Sequence, residues 1–89
     1  MNNIPDSREA KALVAAIEHV LQVYKKEITL DSTFDLDLGA DSLDMAQILR
    51  CTEEELGISI DIESLTGIYT VNDALNAIMN VTGSSKDDK

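Results

Sequence analysis

Leu36-Asp37-Leu38-Gly39-Ala40-Asp41-Ser42-Leu43-Asp44 is the stretch on which the reading of this chain turns. Gly39 supplies a turn, and Asp41 and Ser42 are both residue types that accept the orphan amide protons of a helix's first turn. The stretch therefore reads as a loop that feeds directly into a helix beginning at Ser42. Downstream, Met45, Ile48, Leu49, Thr52 and Leu56 share one face at about 100° per residue and form the core side. Leu43, Gln47, Arg50 and Glu54 take the opposite face, and Gly57 ends the helix near Leu56. At the start of that helix Ser42 is exposed, with its hydroxyl facing away from the domain. Nothing nearby can activate it, because the sole histidine, His19, belongs to a different helix. Ser42 is thus suited to being modified by another protein rather than to attacking a substrate.

Working outward, a first helix is expected from Ser7 to Tyr24, with Asp6 as cap and Glu9 completing a capping box. Its apolar stripe is Leu13, Ile17, Val20, Leu21 and Tyr24. A long connection follows, from Lys25 to Asp41. Loops longer than about 12–15 residues are uncommon and are often functional. Leu30, Phe34 and Leu38 recur every fourth residue along it and are expected to pin it to the core. Ile58-Ser59-Ile60 alternates like a strand but is too short to build a sheet, and reads as an extended linker. Asp61 to Leu65 is expected to form one short helical turn, broken by Gly67. Thr70 then caps a last helix, Val71 to Asn80, with Asp73 at the third position and Val71, Ala74, Leu75 and Ile78 inside. The expected fold is all-α, a small four-helix bundle of three main helices and one short one, with the long loop between the first two. Residues 1–83 form a single domain and 84–89 a disordered tail.

Eighty-nine residues make one domain with a modest core. No apolar run of about 18 residues exists, so no transmembrane helix is expected. The N-terminal segment lacks the basic start and apolar centre of a signal peptide, which makes the cytoplasm the expected location. Cys51 is the only cysteine, so no internal disulfide forms, and one Cys with one His does not make a zinc site. Formal net charge is −10, and from Glu27 to Asp73 there are twelve acidic side chains against one base, Arg50. Nucleic-acid phosphates would be repelled by this surface, whereas basic protein partners would be steered toward it.

The motif from Asp37 to Asp44 resembles the phosphopantetheine attachment motif of acyl carrier proteins, whose core is Asp-Ser-Leu preceded by Leu-Gly-Ala or Leu-Gly-Gly. The order of elements also resembles that family, from about Asp6 to Asn80. The resemblance implies a carrier, not an enzyme, with no catalytic residue and no metal. Ser42 would receive a covalent 4'-phosphopantetheine arm from coenzyme A through a phosphopantetheinyl transferase. Acyl groups would be held on the arm as thioesters and presented to acyltransferases, synthases and other acyl-processing enzymes with basic docking surfaces. Asp37, Asp41, Leu43, Asp44, Gln47, Arg50 and Glu54 would be the partner-recognition residues of a monomer serving fatty-acid, polyketide or related lipid synthesis.

Two alternatives stand beside it. A peptidyl (aminoacyl) carrier typically has a less acidic motif with glycine at the place of Ala40, so Ala40 and the flanking acids argue against it. The other is an unmodified acidic interaction or calcium-binding domain. An EF-hand loop started at Asp31 puts Leu36 where glycine is required and Ser42 where the bidentate Glu belongs; one started at Asp35 puts Ala40 and Ala46 there. The faint likeness of Gly39-Ala40-Asp41-Ser42-Leu43 to a hydrolase element fails because no histidine follows His19. Carriers of general fatty-acid synthesis usually have Glu at the place of Gln47 and apolar residues at those of Arg50 and Thr52. These departures point to a specialised carrier.

Overall fold

Ser7 opens the first helix, α1 (Arg8–Leu21): its backbone is extended and its hydroxyl accepts the Ala10 amide at 3.2 Å. The cap is thus one residue later than Asp6, whose carboxylate instead pairs with Lys11 Nζ at 3.1 Å. The computed structural model describes residues 4–24, 27–60 and 67–87, the last five of these as backbone only. The helix stops at Gln22, which turns left-handed and donates its N–H to the Glu18 carbonyl at 2.9 Å. Tyr24 consequently leaves the apolar stripe and is exposed.

Helix α2 (Ser42–Leu56) has the bounds the sequence gives it, with Gly57 at φ 68° closing its C-terminus. Helix α3 begins at Val71 as expected and continues past Asn80 to Asp87. No proline interrupts that run, and Val81 and Thr82 are half-buried rather than solvated. The fold is all-α, and among the described residues the only extended pairing is a single antiparallel bridge between Thr33 and Thr70. The helical turn expected over Asp61–Leu65 lies outside the described residues.

The three helices bury Leu13 and Ile17 from α1, Ile48, Leu49 and Leu56 from α2, and Val71, Ala74, Leu75 and Ile78 from α3. Thr52 is fully buried among them, and its hydroxyl donates to the Ile48 carbonyl at 2.8 Å, so no polar atom is left unpaired there. From the long connection, Ile28, Phe34 and Ala40 are buried, and Leu30 and Leu38 pack half-buried against the same cluster. The four-residue recurrence therefore does pin the loop.

A second device holds the connection, and it is made by the backbone. The Phe34 amide donates to the Tyr69 carbonyl at 2.9 Å, the Val71 amide to Ser32 at 3.0 Å and the Asn72 amide to Leu30 at 2.9 Å. Ser32 is buried, and its hydroxyl accepts the Thr29 amide at 3.0 Å. The loop after α1 is thereby tied to the chain entering α3.

That entry has a reciprocal cap. Thr70 Oγ1 accepts the Asp73 amide, and the Asp73 carboxylate accepts the amides of Tyr69 and Thr70, all at 3.1 Å. The Tyr69 amide first and the Thr70 amide second hold the Asp73 carboxyl below its ordinary value, against a smaller opposing effect of burial. A depressed folded value means that the unfolded chain binds the proton more readily. The stabilisation is fully present above the ordinary carboxylate value of 3.8 and is lost as pH falls through the lower folded one. Asp73→Asn should therefore lower the melting temperature at neutral pH, by a small margin because solvent screens this carboxylate. In melting curves the gap between variant and parent should close below the ordinary carboxylate range; a gap constant in pH would contradict the assignment.

Candidate modification site at the start of the second helix

The approach to Ser42 is a turn built on Thr33. Its carbonyl accepts the amides of Asp37 and Leu38 at 3.1 and 3.0 Å, and the Asp35 carbonyl accepts Gly39 at 3.2 Å. The Asp37 carboxylate folds back onto the Thr33 amide and hydroxyl, at 2.9 and 3.1 Å. Asp35 accepts the Leu36 amide at 2.7 Å. Gly39 sits at φ 73° with open space where a Cβ would point, so the backbone angle and not crowding calls for glycine. The Ala40 amide then donates to the Phe34 carbonyl at 2.7 Å, which locks the chain against the core just before the helix.

Asp41 is the N-cap. One of its carboxylate oxygens accepts the Asp44 amide at 2.9 Å, and the Asp44 carboxylate accepts the Asp41 amide at 3.2 Å. This closed capping box satisfies the Asp41 and Asp44 amides without the Ser42 hydroxyl. Ser42 is the first helical residue and is exposed. The helix's partial positive charge and the amides of its first turn lie beside that hydroxyl, a setting that suits a phosphate ester.

Of the other residues singled out from the sequence, Leu43 is 66% exposed. Gln47 is exposed, and Arg50 pairs with Glu54 across one turn at 3.7 Å. Those three line a shallow depression of about 400 Å³ with His19, Val20 and Cys51, between the end of α1 and the outer side of α2. The structure thus sets Ser42, Leu43, Asp44, Gln47, Arg50 and Glu54 along one helix, with Asp41 at its cap and Asp37 in the turn before it. Asp37 has a bracing role that the sequence reading missed; Thr33 four residues before it was the available signal. Leu36 was also passed over, and at 87% exposed it stands farther out than Leu43. Among the described residues no three His, Cys, Asp or Glu side chains converge on a metal position.

The small helical bundle thus presents, at the start of its second helix, an exposed serine that the cap does not use. Residues 11–78 match the family model described as the phosphopantetheine attachment site. The chain is 45% identical over 64 residues to the acyl carrier protein of Treponema pallidum, covering 72% of this chain and 82% of that one. It is 45% identical over 62 residues to that of Clostridium perfringens, covering 70% and 82%. With acyl carrier protein 3, chloroplastic, of Cuphea lanceolata it shares 36% identity over 77 residues, covering 79% and 54%. The chain belongs to the acyl carrier protein family, whose cofactor is 4'-phosphopantetheine. An uncapped, exposed hydroxyl at residue 42 fits that group. Family membership sets aside the plain acidic domain as a class.

The cap assignment has its own test. Asp41→Ala should cost about 1 kcal/mol in denaturant unfolding, whereas Ser42→Ala should change stability by less than about 0.5 kcal/mol. Equal losses for the two would mean that Ser42 shares the capping.

Proposed function

We propose that Ser42 is the attachment residue. The supporting observation is that Asp41 and Asp44 complete the helix cap between themselves and leave the intervening hydroxyl exposed and unused. In the attachment step Ser42 Oγ forms the new bond to the β-phosphorus of coenzyme A. The phosphoanhydride bond breaks, adenosine 3',5'-bisphosphate leaves, and the hydroxyl proton goes to a base of the phosphopantetheinyl transferase. Once bound, the arm supplies a terminal thiol on which acyl groups are held as thioesters. The protein's own part is to hold Ser42 on a rigid helix end and to present that end to partner enzymes.

Partner recognition falls to the surface around it: Asp37, Asp41, Leu43, Asp44, Gln47, Arg50 and Glu54. Acidic side chains there favour transferases, acyltransferases and synthases with basic docking surfaces. No described helix is long and apolar enough to cross a membrane. We assign the protein to the cytoplasm as a monomer.

Incubating the full chain with coenzyme A and a phosphopantetheinyl transferase should raise its intact mass by one phosphopantetheine group. Ser42→Ala should abolish the gain while keeping the parent's helicity. A gain that persists in that variant, or never appears in the parent, would overturn the assignment.

The pathway proposed is a specialised one, and Arg50 carries that reading. On the outer face of α2 it would meet a basic partner groove as a like charge, which is how an interface rejects one partner without losing another. Its pairing with Glu54 is exposed on both sides and so screens it only weakly. Once loaded, the parent should be a poor substrate for a general elongation synthase, and Gln47→Glu combined with Arg50→Met should improve its use. Equal acyl-transfer rates for parent and double variant would remove the case for a dedicated pathway.

A further inference from the structure

Leu36 is the most exposed large hydrophobic side chain in the described part of the protein. The others are Tyr24, Leu43, Tyr69 and Met79. Leu36, Leu43 and Tyr69 are linked through one residue. Phe34 donates its amide to the Tyr69 carbonyl, and its own carbonyl accepts the Ala40 amide. Leu36 lies two residues after Phe34, and Leu43 three after Ala40. The turn carrying Leu36 is therefore fixed at the same end of the bundle as Ser42. It is held rigidly as well, because the Thr33–Asp37 brace and the Asp35 bond to the Leu36 amide close it from both sides.

A rigid turn that points a leucine into solvent leaves apolar area exposed with no gain in the core. Asp35 and Asp37 flank it in the chain, and Asp41 and Asp44 cap the helix that this turn feeds. Apolar at the centre with charge at the border is the anatomy of a docking surface. An enzyme that binds coenzyme A must hold its phosphates with cationic side chains. Where such an enzyme meets Ser42, its basic surface faces this acidic border.

We propose that Leu36 is a specificity-determining docking residue for the phosphopantetheinyl transferase, seating in an apolar notch bordered by basic side chains while Ser42 is modified. This rests on the attachment reading of Ser42. Leu36 touches neither coenzyme A nor the reacting oxygen. Its contribution is to binding of the whole carrier, and it is apolar, so salt does not screen it as it screens the acids.

The test is steady-state modification of the unmodified full chain by a transferase at saturating coenzyme A, read by intact mass. Leu36→Gln should raise KM for the carrier by roughly fivefold or more, with kcat held within about twofold. The ratio should persist in added salt. Leu36→Met should stay near the parent, and Met79→Gln, on the outer side of α3, should match it. Far-ultraviolet circular dichroism and melting of Leu36→Gln should equal the parent's, since the side chain is almost wholly in solvent. A Leu36→Gln variant with the parent's KM overturns the inference while leaving attachment at Ser42 intact. So does a Met79→Gln variant with an equal rise in KM. A parent that gains no mass overturns both readings together.

Discussion

Phe34 is the joint on which the rest of the molecule depends. Its ring is buried among the three helices, its amide binds the chain entering α3, and its carbonyl binds Ala40 at the entry to α2. A side chain of this kind is worth about 3–5 kcal/mol on truncation. That is a large share of the roughly 5–15 kcal/mol by which a small domain is stable. The connection from α1 to α2 is long because it has to reach across the core and be stitched to the far helix before delivering Ser42. A shorter loop could join the same helices but could not fix the direction from which the serine helix is entered.

Under the proposed reading the acidic residues near Ser42 would serve two ends at once. Asp37 braces the turn, and Asp41 and Asp44 cap each other's amides, so each is held by local hydrogen bonds while its charge still faces solvent. A recognition charge on a free, long side chain loses rotamer entropy on binding. Short aspartates already committed to backbone donors lose little. Reversing the charge at residue 41 or 44 consequently disturbs the helix start as well as the partner's view of it. The outer residues Gln47, Arg50 and Glu54 take no part in that cap, and at those positions the sequence would be free to select partners.

The second helix was legible to the residue because its start and stop are both chemical: an aspartate-serine pair at one end and a glycine at the other. The first helix was blurred by competition between Asp6 and Ser7, two good caps side by side, and by a left-handed Gln22 that no propensity anticipates. The pins at Leu30, Phe34 and Leu38 could be read from spacing. The backbone bonds from Ser32 and Phe34 to the segment at Tyr69 and Val71 could not, since main-chain donors carry no side-chain signature and the partners lie far apart in sequence. Leu36 escaped notice for a related reason. Between Phe34 and Leu38 it looks like one more apolar residue in a pinned loop, and only the turn geometry turns it outward.

The register of the second helix's first turn is what keeps the Ser42 hydroxyl out of the cap. Three polar residues that can cap a helix stand within four positions, and each takes a different place: Asp41 at the cap, Ser42 at the first helical residue, Asp44 at the third. A helix begun one residue later would make Ser42 the cap, with its oxygen accepting an amide from the first turn and its lone pairs directed inward. Begun one residue earlier, it would draw Asp41 into the helix and leave Ala40, a poor cap, at the boundary. The observed frame is fixed from both directions. Gly39 and the Ala40–Phe34 bond set where the extended chain ends, and the Asp41–Asp44 box sets where the helix begins. The hydroxyl between them is exposed because Asp41 and Asp44 cap each other's amides without drawing on it.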